Sequence, residues 1–293
     1  ITTATEIQLK HADLLILSNL HPTKLHETVA LTQTVTQRTA RHRAIIALTA
    51  PAFAKEPPAD ALKAAETQVI AAWQSVQSAR GVLHVAVQLD IEGLALPVEA
   101  SGPFAYKHHE GKRLFRVDLD GDITAPAISP TGALPVQGVG VFDGAIAHFM
   151  TNMLFQKTVM RYTPERNELA IGGDALFKTL HEDCDLRLLP ERSLNKVPCH
   201  VFEAVVREPG DDILEPVKWN LCFAKDTGLP LFVQAFDRRS RKIFSCYMTD
   251  IVLNPVLNLS RFSFVAPPDA RVCLLYTSPS PRDRTRSRMP SSA

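Results

Sequence analysis

The chain has 293 residues, 45% of them hydrophobic, and a formal net charge of +1. These values suit a globular protein with one large domain or two small ones. No apolar run approaches the ~18–20 residues that a helix needs to span a membrane. Residues 55–272 hold 23 basic and 27 acidic side chains. A mildly acidic body is unsuited to the phosphate backbone of DNA or RNA, so we predict no nucleic-acid partner.

The N-terminal part predicts an exported protein. Residues 38–54 combine three arginines, a short apolar stretch and the small-x-small sequence Ala52-Phe53-Ala54, a pattern typical of a secretory signal peptide. We assign residues 35–54 to the signal peptide, residues 1–34 to a leader or upstream translation, and 55–272 to one exported, soluble domain. The alternative for the apolar stretch is a short buried helix at the start of the domain.

The C-terminal segment has a composition unlike that of the domain. After Tyr276 it is poor in core-forming residues and rich in Ser, Pro and Arg, as disordered tails are. The run from Cys273 to Asp283 resembles the in-frame translation of a transposase adapter used in sequencing libraries. We therefore interpret residues 273–293 as a disordered, adapter-derived addition.

Within the domain, one amphipathic helix precedes many strands. Apolar residues from Leu62 to Val76 recur at three- and four-residue spacing, which predicts a helix over 61–78. Alternating apolar and polar residues then predict the strands 82–91, 96–106, 113–119, 136–142, 145–150 and 158–162, a helix over 175–182 capped by Asp174, and a short strand over 185–189.

The stretch from Val197 to Val265 shows the clearest strand pattern. Its alternating runs are separated by turn-forming clusters at 208–212, 226–228 and 237–240, which is typical of antiparallel strands joined by hairpins. We expect Phe262-Ser-Phe264 to be the last strand. Because most strands have one apolar face, we predict an α+β fold in which helices cover that face of an antiparallel sheet.

The order of these elements resembles the LolA-like family of periplasmic lipoprotein carriers. The resemblance depends on the helix before Gly81-Val82, the strand 115–118, the hairpin 141–144, and the segments 197–200, 219, 226–231 and 262–268. It implies a strongly curved, incompletely closed antiparallel half-barrel with helices over its mouth. It also implies an apolar concave face that holds acyl chains. In the family an arginine on the sheet helps to hold the helical lid shut. Arg116 is the candidate here, and a solvated strand arginine is the alternative.

The sequence contains no clear motif of a catalytic or metal centre. It has no GxSxG elbow, phosphate loop, HExxH or paired CxxC. Asp118 to Asp122 has the aspartate spacing of a calcium loop but lacks the Glu at the twelfth position, so we interpret it as a solvated hairpin. His108-His109-Glu110 is expected in a loop and His181-Glu182-Asp183 at a helix end. We predict a protein with no catalytic residues, no metal and no cofactor.

Four cysteines remain once Cys273 is set aside. A turn near 210–211 places Cys199 roughly opposite Cys222, and an exported protein can form a disulfide there. The alternative is a set of buried free thiols, because Cys is among the most buried residue types.

We expect a monomeric carrier that binds lipid or the acyl chains of a lipoprotein. Each buried methylene contributes ~0.8 kcal/mol, so a long chain needs no polar recognition. The second hypothesis is an envelope sensor or interaction module with a membrane-protein partner, and the third is an enzyme. The sequence does not determine which strand positions face inward, and core packing is the alternative role of the candidates. The candidate cavity residues are Val85, Val87, Leu89, Arg116, Trp219, Leu221, Phe232 and Phe244.

Overall fold

The computed structural model describes residues 59–91, 94–124, 133–153, 156–164, 173–209 and 215–274. The predicted leader and signal peptide lie outside these residues, as does the predicted tail beyond Leu274. Those assignments therefore stay predictions.

The described chain contains two α-helices, a 3-10 helix and twelve strands. The helix α1 spans Ala59–Gln74, α2 spans Asp174–Asp183, and the 3-10 helix spans Leu259–Phe262. The strands are β1 Ser78–Ile91, β2 Leu94–His109, β3 Lys112–Thr124, β4 Ala133–Phe142, β5 Ala147–Met153, β6 Gln156–Tyr162, β7 Cys184–Leu194, β8 Val197–Val206, β9 Lys218–Ala224, β10 Pro230–Phe236, β11 Lys242–Leu253 and β12 Arg271–Leu274.

All twelve strands form one sheet in the order β12-β6-β5-β4-β3-β2-β1-β11-β10-β9-β8-β7. Neighbours are antiparallel except β12 and β6, which run parallel. The pairing of β1 with β11 joins the half made by β1–β6 to the half made by β7–β11. Among the described strands, β7 and β12 end the sheet and do not pair with each other. The predicted α+β fold, a strongly curved antiparallel half-barrel with covering helices, is confirmed.

Both helices pack on one face of the sheet, which we call the inner face. The ring of Trp73 in α1 lies 5.0 Å from that of Tyr106 in β2. Phe177 of α2 lies 5.2 Å from Phe202 in β8 and 5.7 Å from Phe223 in β9. The apolar stripe predicted for the first helix therefore does face the core.

Two glycines allow β2 and β3 to approach more closely than side chains permit. A Cβ at Gly102 would lie 1.8 Å from the Asp118 carbonyl oxygen, and a Cβ at Gly121 would lie 2.1 Å from the Glu99 carbonyl oxygen. Glycines inside strands often mark tight bends or close backbone contacts. We infer that this pair contributes to the curvature of the sheet.

The opposite, outer face of β1–β3 is crossed by residues 254–264, which we call the C-terminal strap. Leu257 and Phe262 of the strap are buried against Ala105 and Leu114. The prediction of a closing strand at 262–264 is wrong, because the 3-10 helix ends there and no strand follows until β12. The buried phenylalanine of that run packs from the strap instead of from the sheet.

Three local predictions from polar clusters are also wrong. Asp118 to Asp122 lie inside β3, because the alternation continues through the buried Ile123. His108 and His109 end β2, so the loop is a two-residue turn of Glu110 and Gly111 with φ of 51° and 74°. Asp174 is the first residue of α2 and not its cap, since Gly173 occupies the N-cap position without a side-chain hydrogen bond.

Candidate ligand-binding surface

The inner face of β1–β6 carries almost no charge. Strand register places Val87 beside Val98, Val98 beside Ile123, and Ile123 beside Leu134, so these alternating positions share one face. By the same register, Arg113 is the single charged position on the inner face of the described strands β1–β6. Its guanidinium lies 3.7 Å from the Asp174 carboxylate at the start of α2.

Four of the predicted cavity residues lie on the inner face and are buried. Val85, Trp219, Leu221 and Phe244 belong to the main core with the apolar residues of α1 and α2. Trp219 and Phe244 pack edge to face, with ring centroids 6.2 Å apart. These side chains form the core beneath the helices, so they are not exposed to a ligand in this conformation.

Val87 lies where the covered and uncovered parts of the inner face meet. It is partly buried and packs against both the main core and a second apolar cluster. Leu89, the next inner position of β1, pairs with Leu96 through the backbone, and its side chain lies outside the described residues. The buried members of the second cluster are Leu96, Val98 and Ile123.

Phe232 faces the other side of the sheet. Its partners are Cys222 in β9 and Tyr247 in β11, whereas its neighbour Val233 pairs with Leu221 on the inner face. Its assignment to the cavity is therefore wrong. Strand β10 has apolar residues on both faces, and its register shifts between Pro230 and Phe232. Its sequence therefore has no clear alternation that shows which residues face inward.

Arg116 also lies on the outer face, so its assignment to the cavity and the lid is corrected. Its guanidinium donates hydrogen bonds of 2.8 and 2.7 Å to the two Asp118 carboxylate oxygens. It also donates to the carbonyl oxygens of Arg261 and Ser263 at 3.3 and 3.4 Å. The hydrogen bond to Asp118 raises the pKa of Arg116. This arginine therefore holds the C-terminal strap and not a helix.

Away from the helices, the inner face of β2–β6 remains partly exposed. Phe149 pairs with Gly140 and Met160, and Thr151 pairs with Gly138 and Thr158. A Cβ at Gly138 would meet no atom closer than the Leu119 Cβ at 3.8 Å, so there is space above this strand. We call this area the open inner surface, and its residues are Ala100, Gly138, Phe149, Thr151, Met153 and Met160.

None of the residues of the open inner surface is among the predicted cavity residues. The strands β5 and β6 were expected, but they are short and place apolar residues on both faces, such as Phe149 and Met150. Only the pairing with β4, where Gly138 and Gly140 face inward, shows which residues of β5 face inward. These two glycines at alternate positions of β4 were the feature of the sequence that could have indicated an open surface.

The helix α1 is seated on the turn between β9 and β10. A Cβ at Gly228 would lie 2.3 Å from the Val69 carbonyl oxygen and 2.7 Å from the Trp73 amide nitrogen. Gly228 has a φ of 66°, a backbone conformation that favours glycine. The Asp226 to Leu231 motif, from which part of the family resemblance came, thus forms the contact that positions α1.

Polar contacts fix the same helix at two further points. The Gln68 side chain contacts His200 of β8 at 2.8 Å and donates to the Lys225 carbonyl oxygen at 3.4 Å. Glu66 contacts the His181 ring of α2 at 3.0 Å. The two helices and the C-terminal half of the sheet therefore form one connected unit.

The cysteine register differs from the prediction by two residues. Cys222 pairs with Val201, and Cys199 pairs with Ala224, so the two cysteines are diagonal neighbours. Diagonal pairs lie about 7–8 Å apart, beyond the ~4.4–6.8 Å between Cα atoms that a disulfide usually requires. The described cysteines are all free thiols, and burial raises the pKa of Cys222 to about 12.

Within the described ranges, no group of three or more His, Cys, Asp or Glu side chains is placed to hold a metal ion. In the same part of the chain, no helix combines the length and the apolar character needed to cross a membrane.

Comparison with known proteins gives structural similarity only. No family model matches the sequence, and no curated protein matches it. Among solved structures, the chain is similar to MucB, with 14% identity, a TM-score of 0.41 and coverage of 73% of this chain and 65% of MucB. The chain thus spans less than two thirds of the length of MucB.

The solved structures that the chain resembles include a member of the LolA superfamily. This is the LolA superfamily protein of Nitrosomonas europaea, with 10% identity, a TM-score of 0.22 and coverage of 68% of this chain and 97% of that protein. Another similar structure is the Mycobacterium tuberculosis lipoprotein LppX, with 10% identity, a TM-score of 0.36 and coverage of 69% and 100%. The predicted family is therefore represented among the matches, while all three TM-scores lie below 0.5.

Proposed function

We propose that this protein is a carrier that binds lipid, or the acyl chains of a lipoprotein, on the open inner surface. The observation that carries the proposal is the inner face of β1–β6, on which Arg113 is the single charged position of the described strands and which is covered by helices at one end and partly exposed at the other. A curved sheet whose inner side chains do not fill it can enclose a ligand. We propose that it acts as a monomer, and that it resides in the cell envelope, since the predicted signal peptide indicates export.

Hydrocarbon is the ligand chemistry that this surface favours. Its side chains include Phe149, Met153 and Met160, and flexible thioethers adapt to irregular apolar ligands. Each methylene that leaves water contributes about 0.8 kcal/mol, so affinity follows from chain length. A charged headgroup finds no inner-face cation on β1–β6 except Arg113, which Asp174 already contacts. The headgroup is therefore expected to stay in solvent.

Two neighbouring residues of β5 provide the test. Thr151 faces the open inner surface opposite Gly138, whereas Asn152 faces outward opposite Gln137. Thr151→Glu places a carboxylate where the acyl chain would lie, and burying an unpaired charge is costly. We expect at least about tenfold weaker binding of a fluorescent hexadecanoyl probe, equal to about 1.4 kcal/mol.

Asn152→Glu is the matched control and should change the affinity less than about twofold. Equal losses in both variants, or no saturable binding by the unmodified protein, would contradict the carrier. The second hypothesis, an envelope sensor on the same fold, predicts a protein that purifies without lipid and with a stoichiometric protein partner. Native mass spectrometry after gentle extraction separates these two outcomes.

A further inference from the structure

We propose that His200 is an acid-sensitive latch, whose protonation weakens the attachment of helix α1 to the sheet. The latch is a property of the closed protein without ligand, so it does not depend on the proposed carrier function. It is carried by the contacts among His200, Gln68, Glu191 and Lys225, which join α1, β7, β8 and the turn after β9.

The contacts of Gln68 identify the proton position on His200. The Gln68 amide nitrogen donates to the Lys225 carbonyl oxygen at 3.4 Å, so its oxygen is the atom that faces His200 Nε2 at 2.8 Å. An amide oxygen only accepts, and therefore Nε2 carries the proton. His200 Nδ1 is then a bare lone pair, and it is buried with no hydrogen-bond partner among the residues that the structure describes.

Acid would place a second proton on Nδ1 without an acceptor in reach. The nearest carboxylate oxygen, on Glu191, lies 3.9 Å away, which is beyond hydrogen-bond length. That same oxygen is already paired with the Lys225 ammonium. His200 is only 6% exposed, so water cannot take the place of the missing acceptor unless the cover over the ring moves.

The charged groups that face the ring do not offset this cost. Glu191 of β7 favours the protonated ring and Lys225 of the turn opposes it, while α1 contributes only the neutral Gln68. Burial is the largest influence, and the net effect lowers the pKa of His200 below its ordinary value of 6.5. A histidine with a lowered pKa stabilises the closed form when neutral, and that stabilisation is lost as pH falls from 6.5 through the folded pKa.

Of the elements that bury His200, α1 and the turn after β9 that contacts α1 are the ones that can move. Lys225 and Gly228 belong to one turn, and Gly228 meets the backbone of α1 at Val69 and Trp73. If Glu191 and Lys225 rearrange around a charged His200, the turn that holds Lys225 and Gly228 moves with them, and the contact of Gly228 with α1 is weakened. Acid should loosen α1 before it loosens β8 or β9, which remain paired through their own backbone ladder.

A second histidine contacts the same helix away from His200. His181 of α2 lies 3.0 Å from Glu66 of α1, and its side chain is about half exposed. An exposed pair of this kind contributes little to stability. His181→Gln is therefore the matched control, because it removes a histidine contact of α1 that is not part of the latch and should leave the acid response intact.

Hydrogen exchange of α1 amides at pH 7.5 and 5.5, corrected for intrinsic rates, tests the latch. Both values lie well above the ~4 at which ordinary carboxylates titrate. We expect α1 protection to fall by about two- to tenfold relative to β8 and β9 at pH 5.5, since about tenfold is the limit for one histidine with an ordinary pKa of 6.5 in the open form. His200→Gln should abolish the difference, and His181→Gln should keep it. An unchanged α1, an equal fall in β8 and β9, or the same response in His200→Gln would overturn the latch.

A measurement on the unmodified protein guards against misfolding of the variant. The ring resonances of His200 should titrate with a midpoint below pH 6.5, and α1 protection should be lost between pH 6.5 and that midpoint. A His200 ring that titrates at or above 6.5, or a loss of α1 protection that falls outside this pH range, would contradict the proposal.

Discussion

At the scale of single residues, Gly228 determines how closely α1 lies on the sheet. Gly228→Ala places a Cβ 2.3 Å from the Val69 carbonyl oxygen and at a φ of 66°, so the helix must move. We expect the free energy of unfolding to fall by about 2–4 kcal/mol, measured by urea denaturation.

Gly111→Ala is the control for the backbone contribution alone. Gly111 has a similar φ of 74°, but a Cβ there meets nothing within 4 Å. Its cost should be limited to about 1 kcal/mol. An equal decrease in the free energy of unfolding in the two variants would show that the contact of Gly228 with α1 does not contribute to stability.

Asp237 is the residue whose contribution should depend most clearly on acid pH. It is buried in the turn between β10 and β11 and accepts hydrogen bonds from the Arg239 and Arg241 amides and from Arg241 Nε. Burial acts to raise its pKa, but these hydrogen bonds outweigh burial and lower it below 3.8. Its stabilisation is thus present above pH 3.8 and is lost as pH falls through the folded pKa.

Asp237→Asn should lower the free energy of unfolding at pH 7 by about 1–3 kcal/mol. The difference from the unmodified protein should shrink as the pH of the urea denaturation is lowered below about 4. Asp122→Asn, at an exposed outer position of β3, should change stability by less than about 0.5 kcal/mol. A difference that is constant with pH would show that the Asp237 charge is not the stabilising feature.

At the scale of elements, the C-terminal strap depends on Arg116. Arg116→Met removes the donors to the Arg261 and Ser263 carbonyl oxygens and leaves Asp118 unpaired. We expect amide exchange in residues 257–264 to accelerate by about tenfold, while α1 keeps its protection.

Arg80→Met, on the same outer face of β1, should leave strap exchange unchanged. Faster exchange of α1 in Arg116→Met would restore the predicted role of this arginine at the lid. Exchange in the strap and exchange in α1 distinguish the two roles of Arg116, because the strap and the helix lie on opposite faces of the sheet.

Elements were predictable from the sequence where one face is apolar and the other polar. The stripe from Leu62 to Val76 predicted α1, and the alternation from Val82 predicted β1. The prediction failed for the parity of β10, where Pro230 to Phe236 are apolar on both faces and a register shift intervenes. It also failed for the strap, because Phe262 is buried against Leu114 of β3, and the eight strands β4–β11 lie between these two residues in the chain.

At the scale of the whole molecule, the pairing of β1 with β11 decides where a ligand would lie. It joins a half whose inner face is covered by α1 and α2 to a half whose inner face is partly open. The candidates Trp219, Leu221 and Phe244 came from the covered half, since its alternation is the clearest. The open half could not be located from sequence, because which strands the helices cover is a property of long-range packing.

The carrier proposal is tested most directly by filling the open inner surface. Gly138→Phe adds a ring on the inner side of β4, where the nearest atom to a new Cβ is 3.8 Å away. Ala133→Phe adds the same ring at an exposed position on the outer side of that strand.

The measurement is the equilibrium affinity for the hexadecanoyl probe in the unmodified protein and these two variants. The carrier predicts at least about tenfold weaker binding by Gly138→Phe and a change of less than about twofold in Ala133→Phe. Unchanged binding by Gly138→Phe, in a protein that unfolds at the same urea concentration as the unmodified one, would contradict the central claim.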